Sequence, residues 1–402
     1  MAKNWAIAIG INHYDNLQPL SYAQQDAAAM RDYFLNEAGF EQVYYFAEDA
    51  PAIELDYGPP FKPLPTFAKL ERFLNIRFEN QDFLGSGDNF WFFFAGHGKR
   101  HNNRDYLLPS DVNPRNLERT AISITTLTEN LCRSGADNVI LLLDACRSQD
   151  EGDRDGEGIG IEKQRGVVTL FSCSPNERSY EIDQLQHGSF THTLLQGLRI
   201  QGEGNCATVE RLDQHLRYQV PEVNRYYEQP RQTPSTKADP PAKYHLILLP
   251  RHATVRDAET LKMEAFKAET ARNYELAEQF WIRVLTVSPA DPDAIDAIRR
   301  IAKVCSEKQT QIDTYQLPSQ FNFIDNSNCE REVKATSLKQ KVLQSMKHRT
   351  ILPLGNLLCL TIVFCLIALA IGSQWVVTIL SISAGTLLFL YIAIVILCVR
   401  NT

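Results

Sequence analysis

Three strongly apolar segments, of which only the third contains a polar residue, Thr169, constrain the fold of this chain more than any other feature of the sequence. They are Phe90–Ala95, Val139–Leu143 and Val167–Phe171. A strand with one face in water alternates apolar and polar residues, so a strand that is apolar throughout must be covered on both faces. Segments with helical periodicity, such as Ala23–Phe40 and Phe67–Phe78, alternate with strand-like ones. The pattern predicts an α/β fold, with a mainly parallel sheet flanked by helices.

Further elements complete this domain, which we place at residues 1–250. The stretch Gln229–Pro241 is rich in Pro, Thr and Ser and is predicted to be a loop. The other predicted elements are strands at Ala6–Ile11, Val43–Phe46 and Tyr244–Leu249, and helices at Phe190–Ile200 and Val209–Val220.

Charge and cysteine content exclude several classes of function. The net charge is -7 and the sequence pI is about 5.8, so the chain has no overall basic field to attract nucleic acid. The nine cysteines are scattered and form no CxxC pair, which argues against a zinc ribbon or a disulfide framework and favours a reduced compartment.

The sequence also lacks several familiar motifs. No histidine has a metal-ligand spacing, and no phosphate-binding glycine motif is present. The N-terminus lacks a signal peptide pattern, so we expect the first domain to stay in the cytosol.

The C-terminal stretch 351–399 contains no Asp, Glu, Lys or Arg. A helix needs about 20 apolar residues to cross a bilayer, and the stretch divides at Gly372 into two such spans, 351–371 and 375–399. The alternative is a buried helical hairpin, although soluble helices rarely lack a polar face over this length. Basic residues flank both ends of the stretch, so we expect a two-pass membrane protein with the N-terminal domain and C-terminus cytoplasmic. These residues are Lys334, Lys339, Lys341, Lys347, Arg349 and Arg400.

Two regions lie between the first domain and this stretch. Residues 251–305 include a predicted helix–turn–helix at Leu261–Lys303, broken at Ser288-Pro289, which resembles a single tetratricopeptide-type repeat. It can pack on the first domain, serve as a docking region for a protein partner, or simply form a hairpin. Residues 306–350 are polar and are predicted to be a linker. The residues that carry the resemblance are Tyr274, Ala277, Phe280, Leu285, Pro289 and Ala294.

Two of the apolar strands are followed by residues suited to catalysis. His97 follows the strand at 90–95, and Cys146 follows the strand at 139–143. Function in open parallel sheets sits at the carboxyl ends of strands, so neighbouring strands would bring these side chains together. A cysteine thiolate is a nucleophile, and an imidazole can accept its proton and later protonate the leaving amine. The N–H groups of Gly98 and Cys146 could form an oxyanion hole.

Residues 1–250 resemble the peptidase C14 family, and specifically its prokaryotic metacaspase branch, the orthocaspases. The resemblance implies a caspase-hemoglobinase fold and a catalytic dyad of His97 and Cys146, 49 positions apart. The chain departs from the caspase signature by having Asp144 in place of Gln and Ser148 in place of Gly. The matching segments are Ala8–Asn12, Asp26-Ala27, Phe94–Gly98, Tyr106–Asp111, Asp144–Ser148, Phe171–Pro175 and His187–Thr191.

The same resemblance implies cleavage after Arg or Lys, because metacaspases have an acidic S1 pocket for the side chain before the scissile bond. Asp144 and Asp26 match the two pocket acids of the family. The alternative for Asp26 is an exposed acid in the first turn of a helix. Some family members carry Ser where Ala95 stands, and the additional contact that this Ser makes in the S1 pocket is missing here.

Residues 149–165 are acidic and glycine-rich, and they lie where the family has a processing loop between a large-subunit-like part, 1–150, and a small-subunit-like part, 166–250. Arg154, Lys163 and Arg165 are candidate self-cleavage sites, although the loop could equally remain uncut. Many metacaspases respond to calcium, but the acid spacing is not that of an EF-hand, so calcium stays unassigned and no cofactor is predicted.

These observations support a membrane-anchored cysteine endopeptidase acting on proteins or peptides with Arg or Lys at P1. Its expected partners are those substrates, a lipid bilayer at 351–399 and a protein bound at 261–303, with no nucleic acid. The alternative is a catalytically weak or silent scaffold that serves as a signalling or assembly module at a membrane.

Overall fold

The computed structural model of the protein describes residues 2–54, 60–79, 83–147, 166–174, 177–202 and 204–315. The strands are β1 Asn4–Gly10, β2 Gln42–Phe46, β3 Asn89–His101, β4 Arg104–Leu107, β5 Ile122–Ser123, β6 Asn138–Arg147, β7 Val168–Phe171, β8 Glu181–Ile182, β9 His187–Gly188 and β10 Ser235–Ala238. The helices are α1 Ala23–Asp32, α2 Phe67–Glu79, α3 Leu117–Thr120, α4 Ile124–Cys132, α5 Ser189–Arg199, α6 Val209–Tyr226, α7 Val255–Thr270, α8 Tyr274–Val287 and α9 Pro292–Tyr315. A π-helical turn, Tyr33–Glu37, continues α1.

The main sheet has the order β10-β7-β6-β3-β1-β2. Strands β2, β1, β3, β6 and β7 run parallel, and β10 pairs antiparallel with β7 at one edge. The end of β3 also pairs antiparallel with β4, which pairs with β5. The prediction of a mainly parallel sheet flanked by helices is confirmed.

The sheet is buried on both faces, which explains its uninterrupted apolar strands. Trp91 and Phe93 of β3 pack into a core shared with α1, α5 and α6. Phe90, Phe92 and Phe94 pack into a second core shared with α2 and α4. Successive side chains of a strand point to opposite faces, so no position in this part of β3 remains for a polar residue.

The predicted last strand is wrong. Residues Tyr244–Leu249 form no sheet strand; Leu246 and Leu248 fill the first core from a loop, while Ile247 joins the core of the helical region. The edge strand is instead β10, within the predicted loop 229–241. Its residues are half-buried because no described strand pairs with its outer side, and so they lack the apolar pattern of an inner strand.

The helical region has three helices and two breaks rather than one break at Ser288-Pro289. The additional break lies at residues 271–273, where Arg272 adopts a φ of +59° and the Asn273 side chain caps α8. Helix α9 continues to Tyr315, into the predicted linker 306–350, because no Gly or Pro interrupts it.

None of the described helices has the length and apolarity that a membrane span requires. The predicted spans 351–371 and 375–399 lie outside the described residues, as does the remainder of the linker.

Candidate active site

The catalytic pair predicted from the sequence lies on neighbouring parallel strands in direct register. His97 of β3 pairs with Cys146 of β6. Adjacent strands run about 4.8 Å apart, so the two backbones are within reach of one another's side chains. Both residues lie inside their strands rather than beyond them, because β3 continues to His101 and β6 to Arg147.

The hydrogen bonds of His97 determine which of its nitrogens can act as a base. Nε2 lies 2.8 Å from the carbonyl oxygen of Gln18, which can only accept. Neutral His97 therefore carries its proton on Nε2 and has its lone pair on Nδ1. The ring also packs against Tyr14, with centroids 4.7 Å apart, and the backbone N–H of His97 donates to the Tyr14 hydroxyl at 2.8 Å. These contacts fix the imidazole at an almost fully buried position.

The glycine before the histidine is required by this packing. A Cβ at Gly96 would lie 2.7 Å from the Tyr14 hydroxyl oxygen and 2.8 Å from the Phe94 ring. Gly98, the predicted oxyanion donor, lies opposite Arg147 of β6 and Leu107 of β4. The roles of the Gly98 and Cys146 amides stay predictions.

The two predicted pocket acids lie next to one another although they are far apart in the chain. Asp26 is in α1 and Asp144 is in β6, and both are buried. A Cβ built on Gly188 would lie 2.8 Å from a carboxyl oxygen of Asp144 and 2.9 Å from one of Asp26. Gly188 therefore separates the two carboxyl groups, and no larger residue fits there. The burial of Asp26 contradicts the alternative of an exposed helix acid.

Uncharged groups and one histidine hold these acids. The hydroxyls of Ser179 and Thr191 each donate to Asp144 at 2.7 Å. Nδ1 of His187 lies 2.6 Å from Asp26, and the Gly188 N–H donates to the same carboxyl at 3.1 Å. Among the described residues, no lysine or arginine pairs with either carboxyl.

This environment makes ionisation of the acids unfavourable. Burial raises the pKa of Asp26 well above its ordinary value, and repulsion from Asp144 adds to the effect. Burial also raises the pKa of Asp144, against the hydroxyls that lower it. Burial lowers the pKa of His187. A cation that enters this pocket would relieve the unfavourable burial of negative charge.

Sequence reasoning missed most of the groups that surround the acids. His187 and Thr191 lie in the segment 187–191, which resembles the family, but nothing in their spacing connects them to Asp26 or Asp144. Thr191 is a polar residue on the buried face of α5, which is a signal for a buried partner. Ser179 lies in a segment without regular structure, and no sequence pattern marks it.

The described residues contain no group of three or more His, Cys, Asp or Glu arranged to hold a metal ion. The acids considered for calcium and the candidate cleavage residues Arg154, Lys163 and Arg165 lie outside the described residues. The described chain resumes at Gly166, whose N–H donates to Asp239 at 2.8 Å and whose carbonyl accepts from Lys243 at 3.0 Å.

Comparison with known proteins confirms the family of the resemblance and does not test its metacaspase branch. The family model described as the caspase domain, peptidase C14, matches residues 3–245. The chain belongs to this family. This caspase domain is 29% identical over 125 residues to the paracaspase of Dictyostelium discoideum, covering 29% of this chain and 28% of the relative. It is 25% identical over 223 residues to a probable protease of a Desulfuromonadales bacterium, covering 51% of this chain and 26% of that protein.

The chain thus spans less than a third of the length of these curated relatives. Among solved structures, the caspase domain is similar to a protein of Geobacter sulfurreducens, with a TM-score of 0.40 and 17% identity over 59% of this chain and 93% of that one. It is also similar to caspase-1 of Spodoptera frugiperda, with a TM-score of 0.36 and 14% identity over 59% of this chain and 86% of that one.

Proposed function

We propose that the protein is a cysteine endopeptidase of metacaspase type that cleaves peptide bonds after Arg or Lys. The observation that carries this proposal is a pair of buried carboxyls that no described Lys or Arg contacts, beside a His–Cys register pair in the sheet. Asp144 lies two positions before Cys146, and positions two apart share one face of a strand. The charge for P1 recognition would therefore lie next to the nucleophile.

The proposed reaction begins with proton transfer from the Cys146 thiol to Nδ1 of His97. The sulfur then attacks the carbonyl carbon of the P1 residue, and the Gly98 and Cys146 amides stabilise the negative oxygen of the tetrahedral intermediate. The C–N bond breaks as His97 returns its proton to the leaving amine. Water then hydrolyses the thioester, with His97 accepting its proton, and the thiol is regenerated.

The test is hydrolysis of matched short peptides with Arg, Lys, Leu or Asp before a reporter group. We expect Arg and Lys peptides to be cleaved and the Asp peptide to be rejected, because a P1 carboxylate would add a third negative charge to the pocket. Cys146→Ala should abolish cleavage of every peptide. A preference for Asp would contradict the pocket assignment, and full activity in Cys146→Ala would contradict the mechanism.

We also propose self-cleavage within residues 149–165, at Arg154, Lys163 or Arg165. The proposal is supported by basic residues in an acidic, glycine-rich segment between two parts of the domain. N-terminal sequencing of fragments from wild type and Cys146→Ala, each with and without calcium, tests it. New N-termini after these residues in the wild type alone are the expected result.

We propose that residues 351–399 anchor the protein in a membrane in two passes, with the peptidase domain and the C-terminus on the cytoplasmic side. The support is the length of the uncharged stretch and the basic residues at its two flanks. Removal of residues 351–402 should move the protein from the membrane fraction to the soluble one. An unchanged distribution would contradict the anchor. Residues 261–303 stay a predicted docking region for a protein partner.

A further inference from the structure

A histidine contacts the buried acid Asp26 and is more exposed to solvent than the acid is. His187 belongs to β9, which pairs with β8 through Ile182. Its Nδ1 is 2.6 Å from an oxygen of Asp26. The His187 side chain retains 27% of its exposure, whereas that of Asp26 retains 3%. A basic group approaching Asp26 from solvent would therefore meet the imidazole first.

The backbone holds this histidine in place. The Gly188 N–H donates to both oxygens of Asp26, at 3.3 and 3.1 Å, and the Ser189 N–H donates to the Tyr180 carbonyl at 2.9 Å. Because no side chain fits at Gly188 between the two carboxyls, β9 lies directly against them. The contact between His187 and Asp26 is thus part of the pocket's construction rather than a chance encounter of two surface groups.

Charged and titratable groups from several elements act on this pair in addition to burial. Asp144 from β6 and Glu181 from β8 raise the pKa of Asp26. His192 and Arg199 from α5 lower the pKa of His187.

We propose that His187 and Asp26 hold a single proton between them, and that this proton leaves when a basic side chain binds. His187 is then a specificity-determining residue that makes recognition of Arg or Lys depend on pH. The inference rests on the proposed function, because it concerns the charge of the same pocket. With the proton, the pair is neutral and the imidazolium supplies the positive charge that a substrate would otherwise supply. Without it, the pair carries one negative charge and attracts a cation.

The direction of the pH effect follows from this charge balance. Burial raises the pKa of Asp26 and lowers that of His187, which brings their proton affinities toward one another. A cation binds the form without the proton more tightly, so binding releases the proton. Affinity for a basic side chain should rise with pH until the pair is fully deprotonated. Affinity for an uncharged side chain should not follow this curve.

The experiment uses the full chain and benzamidine, a small cation that competes for an acidic S1 pocket. Its inhibition constant and the kcat and KM for an Arg peptide are measured separately between pH 5.5 and 8.5. In the wild type, the inhibition constant should fall by up to about tenfold per pH unit on the acidic side, as expected for one released proton. It should then become constant.

The informative variant is His187→Asn, whose amide nitrogen replaces Nδ1 as a donor to Asp26 but cannot take a charge. The variant should bind benzamidine several-fold more tightly than the wild type at pH 6 and equally well at pH 8. The change should appear in KM and not in the shape of the kcat profile. His192→Gln is the matched control, because this histidine has its ring centroid 6.5 Å from that of His187 and bonds Gln196 instead of a carboxyl. Since His192 lowers the pKa of His187, this variant should shift the pH curve without removing it.

Parallel pH curves for the wild type and His187→Asn would overturn the proposal, as would an equal loss of affinity at every pH, which indicates a purely structural role. If His187→Asn fails to fold, calorimetry of benzamidine binding to the wild type in two buffers counts the released protons directly. A count near zero at pH 6 overturns the proposal. Peptide preference at pH 8 tests the proposed function separately, because it compares P1 side chains at a single pH.

Discussion

Two clusters of charge in the described part of the chain differ in how their charges are compensated. In the helical region, the buried Lys262 contacts the buried Asp291 at 3.1 Å and the exposed Asp293 at 2.7 Å. In the caspase domain, the described hydrogen-bond partners of Asp26 and Asp144 are hydroxyls, backbone amides and a histidine. The first cluster joins helices through a lysine, while the second has no lysine or arginine partner among the described residues. Under the proposed function, this difference distinguishes a structural cluster from a binding site.

The pKa directions of the two clusters are opposite. Burial works against ionisation of Asp291, but hydrogen bonds from the Ala294 N–H and the Lys262 ammonium lower its pKa overall. Burial raises the pKa of Asp26, and Asp144 reinforces the shift. Ionisation of Asp291 therefore stabilises the fold, whereas ionisation of Asp26 opposes it.

Asp144→Asn should have the largest effect, and on activity rather than on stability. The Ser179 and Thr191 hydroxyls can accept from the new amide as well as donate, so the fold should be retained. Loss of one partner of a buried charge pair costs about 2–5 kcal/mol, so kcat/KM for an Arg peptide should fall by roughly 30-fold to more than 1,000-fold. Steady-state kinetics and thermal unfolding measure the two quantities. Retained activity would remove the distinction between the clusters.

Lys262→Met should have the reverse consequence. It leaves Asp291 without its ammonium partner, so the free energy of unfolding should fall by about 1–2 kcal/mol. Because the helical region does not contribute to the pocket, kcat/KM for an Arg peptide should change less than twofold. Chemical denaturation and the same kinetic assay provide the two readouts. A large loss of activity with unchanged stability would show that this cluster is not merely structural.

The pH dependence of the free energy of unfolding should show the smallest of these differences between the two clusters. The pKa of Asp26 is raised on folding, so the native state binds more protons than the unfolded chain from the ordinary Asp pKa of about 3.9 upward. This acid therefore makes the protein less stable as pH rises through that window, by at most about 1.4 kcal/mol per unit. Asp26→Asn should remove the loss, and its stability advantage over the wild type should grow between pH 4 and 7.

Asp291→Asn is the matched control for this measurement. The pKa of Asp291 is lowered on folding, so its stabilising contribution is present above the ordinary Asp pKa and is lost as pH falls through the folded value. The variant should be less stable than the wild type at pH 7, with the difference shrinking toward pH 3. Curves of the same sign for the two variants would contradict the contrast between the clusters.

The sequence predicted the parts of the molecule that depend on burial. Strands β3 and β6 are apolar because both of their faces are covered, so their positions could be predicted. The carboxyl ends of these strands, where His97 and Cys146 pair, could be predicted with them. Strand β10 could not, because a half-exposed edge strand needs no apolar residues. The groups around Asp26 and Asp144 are brought together by loops and by β9, whose course depends on tertiary contacts rather than on a periodic pattern.

The parallel pairing of β6 with β7 has a consequence for a nicked form of the protein. β6 ends at Arg147, at the end of the sheet where the parallel strands finish, and β7 begins at Val168, at the end where they start. Just before β7, Gly166 is hydrogen-bonded to Asp239 and Lys243. A peptide bond hydrolysed between these strands would create two polypeptides whose strands are still hydrogen-bonded neighbours inside one sheet. Such a protein would migrate as two bands on a denaturing gel and elute as one species from a sizing column.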